Sequence, residues 1–168
     1  MIAVKKNISL NIEFLIETDW KKFSVEEQNL LNKAIEATTD AYAPYSKFKV
    51  GAAVLLGNGK IVKGNNQENA TYPNGLCAER VALFNAASNF PKQPINAIAL
   101  TIDFKDKNIT EPVFPCGGCR QGILEYENRH KQNIKIYIIG PNNEVVIINS
   151  VKDILPFAFS NDFLTHLK

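Results

Sequence analysis

Apolar and polar positions alternate near the start of the chain. Ile12, Phe14 and Ile16 interleave with Glu13, Leu15 and Glu17 as in a short, half-buried strand. This stretch lies in an extension covering residues 1–23. Ser24, followed three residues later by Glu27, has the pattern of a capping box, and Leu30, Leu31, Ala34, Ile35 and Ala37 then recur at helical spacing. A first helix is expected to run to about Tyr42, where Pro44-Tyr45-Ser46 breaks it. Residues 48–56 and 60–64 flank Gly57-Asn58-Gly59, which reads as a hairpin. A polar loop over residues 65–75 leads into residues 77–87, whose small and apolar residues predict a buried helix that ends before Pro91 and Pro94.

Residues 95–104 read as a third strand, 117–129 as a helix and 134–139 as a fourth strand. Residues 145–148 form a fifth strand after the turn Pro141-Asn142-Asn143. The tail holds residues 151–155, then Pro156-Phe157-Ala158-Phe159, then an amphipathic end over residues 161–167. Strands alternating with helices imply an α/β architecture with a layered sheet of five strands. No internal repeat or linker interrupts it, so residues 24–168 are expected to form a single domain behind the 1–23 extension.

Composition narrows the partners. The chain has 168 residues, of which 45% are hydrophobic and 21% charged, and a formal net charge of +2. That suits about one globular domain and leaves no basic footprint for nucleic acid. No run approaches the roughly 20 apolar residues needed to span a bilayer, and no apolar signal core follows Lys5 and Lys6, so a cytoplasmic protein without a membrane partner is expected. Three cysteines in a reducing compartment suggest buried thiols, a catalytic thiol or a metal site rather than disulfides.

The placement of the cysteines decides between these. Cys77-Ala78-Glu79-Arg80 opens one predicted helix and Pro115-Cys116-Gly117-Gly118-Cys119-Arg120 opens another. Cys116 and Cys119, three apart at a helix start, can face one point where the helix dipole favours thiolates. With Cys77 they make three ligands for zinc and leave the fourth tetrahedral position open, as in catalytic sites. Glu79 is then available to move protons, and Arg80 to draw charge from the thiolates. The alternatives are a structural zinc knuckle or three unrelated buried cysteines. A closed knuckle needs a fourth ligand from His130 or His166, and neither stands in ligand-like spacing.

These motifs resemble the cytidine deaminase family, whose zinc enzymes share a Cys- or His-x-Glu and a Pro-Cys-x-x-Cys. Cysteine as the first ligand resembles the small homotetrameric branch. The similarity runs over residues 42–159 and includes Pro44-Tyr45-Ser46-Lys47-Phe48-Lys49-Val50-Gly51-Ala52-Ala53, Asn66-Gln67-Glu68-Asn69-Ala70 and Gly75-Leu76-Cys77-Ala78-Glu79-Arg80. The resemblance implies a three-layer α/β/α fold with a mixed five-stranded sheet and one Zn2+ per subunit. It implies that Phe48 packs near the pyrimidine, that Asn66 and Glu68 hold ribose hydroxyls, and that the Ala78 backbone contacts the base. It further implies a homotetramer in which Tyr72 and Phe159 reach a neighbouring subunit's site. The extension and the longer segment over residues 106–111 depart from the pattern and bear on assembly more than on chemistry.

The activity so implied is hydrolytic deamination of cytidine and deoxycytidine to uridine and deoxyuridine with release of ammonia, in pyrimidine salvage. Glu79 would carry the protons and metal-activated water would attack C4. Two rivals stand beside it. One is a deaminase of another cytosine compound, against which near-neutral charge argues where the compound is a polynucleotide. The other is a zinc-holding binding module, which would have no use for a carboxylate at Glu79.

Overall fold

The computed structural model describes residues 6–105 and 108–165. Residues 1–5 of the extension, Asp106 and Lys107 of the lengthened segment, and His166 with the last two residues lie outside them.

Ser24 caps the first helix, α1 (Val25–Ala37), as its spacing requires. The Ser24 Oγ accepts the Glu27 backbone N–H at 3.2 Å and the Glu27 carboxylate accepts the Ser24 N–H at 2.9 Å. The helix stops at Ala37 rather than near Tyr42, because the Thr38 and Thr39 hydroxyls donate to the carbonyls of Ile35 and Glu36, both at 2.8 Å, and compete with its continuation. The hairpin pairs β2 (Val50–Leu56) with β3 (Ile61–Asn65), and Gly59 takes the positive φ of 78° that the turn needs. Then follow α2 (Ala78–Asn89), β4 (Ile95–Ile102), α3 (Gly117–His130), β5 (Lys135–Ile139), β6 (Val145–Ile148) and a short α4 (Asp162–Thr165).

The described residues form one six-stranded mixed sheet rather than five strands. The additional strand is β1 (Leu15–Glu17), from the extension, so the sheet order is β1-β6-β5-β4-β2-β3. β4 and β5 run parallel and every other neighbouring pair is antiparallel. β1 is held at the edge by three residue pairs with β6 and by Trp20, whose Nε1 donates to the Asn143 carbonyl at 2.6 Å. It is not half-buried as its alternation suggests, since Leu15 and Ile16 are exposed and face no covering layer.

Side-chain alternation divides the core into two layers. Ala53, Leu55, Ala97, Ala99, Tyr137 and Val145 meet Leu30, Leu31 and Ala34 of α1. The other face, with Ala52, Val54, Ile98, Leu100, Ile136 and Val146, meets Ala78, Ala82 and Leu83 of α2 and Ile123 and Leu124 of α3. The result is an α/β/α sandwich. One close approach fixes the height of α2 above the sheet: a Cβ at Gly64 of β3 would run into the Ala82 nitrogen and lie 2.6 Å from the Ala78 carbonyl oxygen. Glycine there lets the first turn of α2 lie directly on the sheet. Among the described residues, no helix is long and apolar enough to cross a membrane.

Candidate active site

Two helix starts and one loop build the site. Cys77 is the N-cap of α2, Cys116 is the N-cap of α3, and Cys119 sits in the first turn of α3. Neither N-cap makes a side-chain capping bond, so both thiols point elsewhere. The three Sγ atoms lie within 4.8 Å of one another, with Cys116 and Cys119 3.5 Å apart. Tetrahedral zinc with Zn–S bonds of about 2.3 Å holds its sulfurs about 3.8 Å apart, so the cluster fits this ion.

The electrostatics agree with the geometry. The Cys77 thiol is pushed down to about 5, first by its hydrogen bond with Cys119 and, against the effect of burial, by Arg80. Cys119 is driven well above its ordinary value by that same contact with Cys77 and by burial. Such crowded thiols cannot all ionise without a counter-charge, and a divalent cation supplies one. Arg80 leans into the cluster, its Nη2 3.5 Å from the Gly75 carbonyl and 3.8 Å from the Cys77 sulfur. Its buried Nε has no hydrogen-bond partner among the described residues.

Glu79 follows on the first turn of α2 and is 4% exposed. Burial pushes its carboxyl above the ordinary value, and the Cys77 thiolate adds to the effect. It lines a cleft of about 810 Å3 together with Phe48, Asn66, Glu68, Tyr72, Cys77, Arg80 and Cys116. Cys119 is buried behind that wall, and Ala78 is fully buried beside Glu79.

The loop after β3 is held at both ends. The Tyr42 N–H donates to the Asn66 carbonyl and the Glu68 N–H to the Tyr42 carbonyl, while Gln67 and Leu76 exchange two backbone bonds at 2.9 Å. The Asn66 side chain bridges the start of β2, accepting from the Val50 N–H and donating to the Phe48 carbonyl, each at 2.8 Å. The Glu68 carboxylate accepts the backbone N–H groups of Tyr45 and Ser46 and the Ser46 hydroxyl. These bonds carry the segment bearing Phe48 to the cleft.

Most of the residues expected from the sequence therefore meet at one place. Phe159 does not: it lies outside the cleft lining, 59% exposed and stacked on Phe163. His130 accepts the Ile95 N–H through Nδ1 and is not among the residues clustered for a metal. Sequence reasoning missed Val113 and Phe114, which complete the apolar wall with Val50 and Leu100. Their position just ahead of Pro115-Cys116 was the one available signal.

Residues 24–133 match the family model described as the cytidine and deoxycytidylate deaminase zinc-binding region. A cytidine deaminase of Halalkalibacterium halodurans is 40% identical over 136 residues, covering 81% of this chain and 96% of the relative. One of Sporosarcina psychrophila is 36% identical over 142 residues, 84% of this chain and 97% of the relative. The crystal structure of a cytidine deaminase from Burkholderia pseudomallei superposes with a TM-score of 0.67 at 38% identity, covering 78% of this chain and 97% of that one. With three thiols spaced for zinc at the starts of two helices, this chain belongs to the cytidine and deoxycytidylate deaminase zinc-binding family.

Proposed function

We propose that the chain hydrolyses the exocyclic C4–N bond of cytidine and deoxycytidine, giving uridine or deoxyuridine and ammonia. The observation that carries this reading is a carboxylate, Glu79, buried in the wall of a cleft beside a three-thiol cluster spaced for zinc. Zinc held by Cys77, Cys116 and Cys119 supplies Lewis-acid activation of water near neutral pH.

The chain's own residues do the rest. Glu79 takes a proton from the attacking water, passes it to N3 as the C4–O bond forms, then carries the second proton to the amino group so that it leaves as ammonia. Arg80 withdraws charge from the thiolates, a task that three sulfur ligands make necessary. Phe48 packs on the pyrimidine, the Ala78 backbone contacts the base, and Asn66 and Glu68 orient the sugar hydroxyls. Both of the last two already brace the loop, and a carboxylate oxygen has lone pairs for a further donor.

Residues 24–168 act as the deaminase domain and 1–23 as an extension. Small-molecule nucleosides are the partners, and the setting is cytoplasmic pyrimidine salvage. Tyr72, 78% exposed, and Phe159 suit contacts with a neighbouring subunit in a homotetramer, since exposed aromatic side chains are typical of interface surface.

Glu79→Ala tests the proton-transfer role. At equal zinc content it should lose at least about a thousandfold in cytidine turnover, within the upper part of the roughly 10²–10⁴-fold that general acid–base catalysis contributes, because two proton transfers depend on it. Turnover within tenfold of wild type, by the fall in ultraviolet absorbance of cytidine, would remove Glu79 from the chemistry.

A further inference from the structure

The extension carries a row of apolar side chains that the fold leaves uncovered. Every residue from 6 to 16 is exposed; Ile8 is 70% exposed, Leu10 56%, Ile12 49%, Phe14 51% and Ile16 60%. Within this stretch and the next residue, only Leu15, Ile16 and Glu17 pair with β6, and β1 is the terminal strand of the sheet, so its outer edge is unpaired among the described residues. Natural sheet edges are usually protected by charges, prolines or bulges. Residues 8–16 contain one charge, Glu13, and no proline.

Register shows what would cover the row. Ile16 lies opposite Val146, whose side chain belongs to the core shared with α2 and α3. A strand continued backward from Ile16 therefore places Phe14, Ile12, Leu10 and Ile8 along that same face, each two residues from the next. The row is self-complementary. In an antiparallel pair about a two-fold axis through Ile12, Ile8 faces the partner's Ile16, Leu10 the partner's Phe14, and Ile12 its own counterpart. On the opposite face Asn11 meets the partner's Glu13. Shifting the axis to Asn11 would set Ile16 against Lys6, and a half-step shift would set every apolar residue against an odd-numbered neighbour such as Asn11 or Glu13.

We propose that residues 8–16 form an interface between two copies of this chain, pairing edge to edge so that two six-stranded sheets become one continuous sheet. Nine residues a side give about 30 Å of new ladder. Six of the nine are exposed and apolar, and five of them, Ile8, Leu10, Ile12, Phe14 and Ile16, share one face and supply the apolar centre that an isologous interface needs. The contact is remote from the cleft, because β1 and the loop following β3 stand at opposite edges of the sheet.

Cysteine cross-linking in the full-length, zinc-loaded protein tests both the interface and its register. Under mild oxidation Ile12→Cys should give a disulfide-linked dimer on a non-reducing gel. Ile8→Cys should not do so alone, although it should when mixed with Ile16→Cys. Adding Leu10→Asp and Phe14→Asp to the Ile12→Cys protein should abolish its dimer. Absence of the Ile12→Cys dimer, equal cross-linking by Ile8→Cys alone, or persistence of the dimer with both aspartates would each overturn the proposal.

Discussion

Glu68 shows how one side chain can serve both scaffold and substrate. Its carboxylate stands at the cleft wall and takes the Ser46 hydroxyl with the Tyr45 and Ser46 N–H groups. Those donors, led by the Ser46 hydroxyl, hold it below the ordinary carboxylate value, so it stays ionised throughout the neutral range. In Glu68→Gln the amide oxygen keeps the Tyr45 and Ser46 N–H groups while its NH2 turns to the Ser46 hydroxyl, so the loop stays braced but the charged acceptor for the sugar hydroxyls is lost. The Michaelis constant for cytidine should rise about tenfold or more, with zinc content unchanged and turnover less affected. An unchanged Michaelis constant would show that the Glu68 carboxylate does not hold the sugar in the working enzyme. The cysteines and Glu79 were legible in the sequence because ligand spacing is local. The bracing role of Asn66 and the place of Phe114 were not, because both depend on where distant strands bring the chain.

Among the elements, α1 is tied to the sheet on the face opposite the site. Glu27 closes the capping box and also accepts the Tyr137 hydroxyl, joining the helix start to β5. Burial opposes its ionisation, yet the bonds from Tyr137 and Ser24 outweigh burial and set the carboxyl below its ordinary value of 4.5. A carboxyl lowered on folding contributes stability above the unfolded value, and that contribution disappears as pH falls through the folded one. Chemical denaturation at pH 7 should find Glu27→Gln less stable than wild type by about 1 kcal/mol. The gap should narrow steadily below pH 4.5, and a gap independent of pH would contradict the assignment. The capping box could be read from Ser24 and Glu27 alone, whereas the early end of α1 could not. Thr38 and Thr39 stop it with hydroxyl bonds that no periodicity reveals. The starts of α2, α3 and β2 to β6 fell within about two residues of expectation, whereas β1 begins at Leu15 rather than at Ile12.

For the whole molecule, the three-layer arrangement does one thing above all: it carries the starts of two helices to a common point. Gly64 allows α2 to lie on the sheet, and the parallel β4–β5 pair, joined through α3, sets Cys116 and Cys119 opposite Cys77. The alternation of strands and helices made this class of fold readable. The alternation over residues 12–17 was legible as a strand, but its place in the sheet was not, because its pairing is completed by Val145, Val146 and Ile147 far along the chain. The central claim is that this assembly of thiols and carboxylate deaminates a cytosine nucleoside. It is tested most directly by measuring uridine and ammonia released from cytidine by protein of known zinc content. Equimolar products are expected at a rate proportional to bound zinc, falling to background when a chelator strips the metal and returning when one zinc per chain is restored. Failure of the fully zinc-loaded protein to release either product from cytidine or deoxycytidine would contradict it.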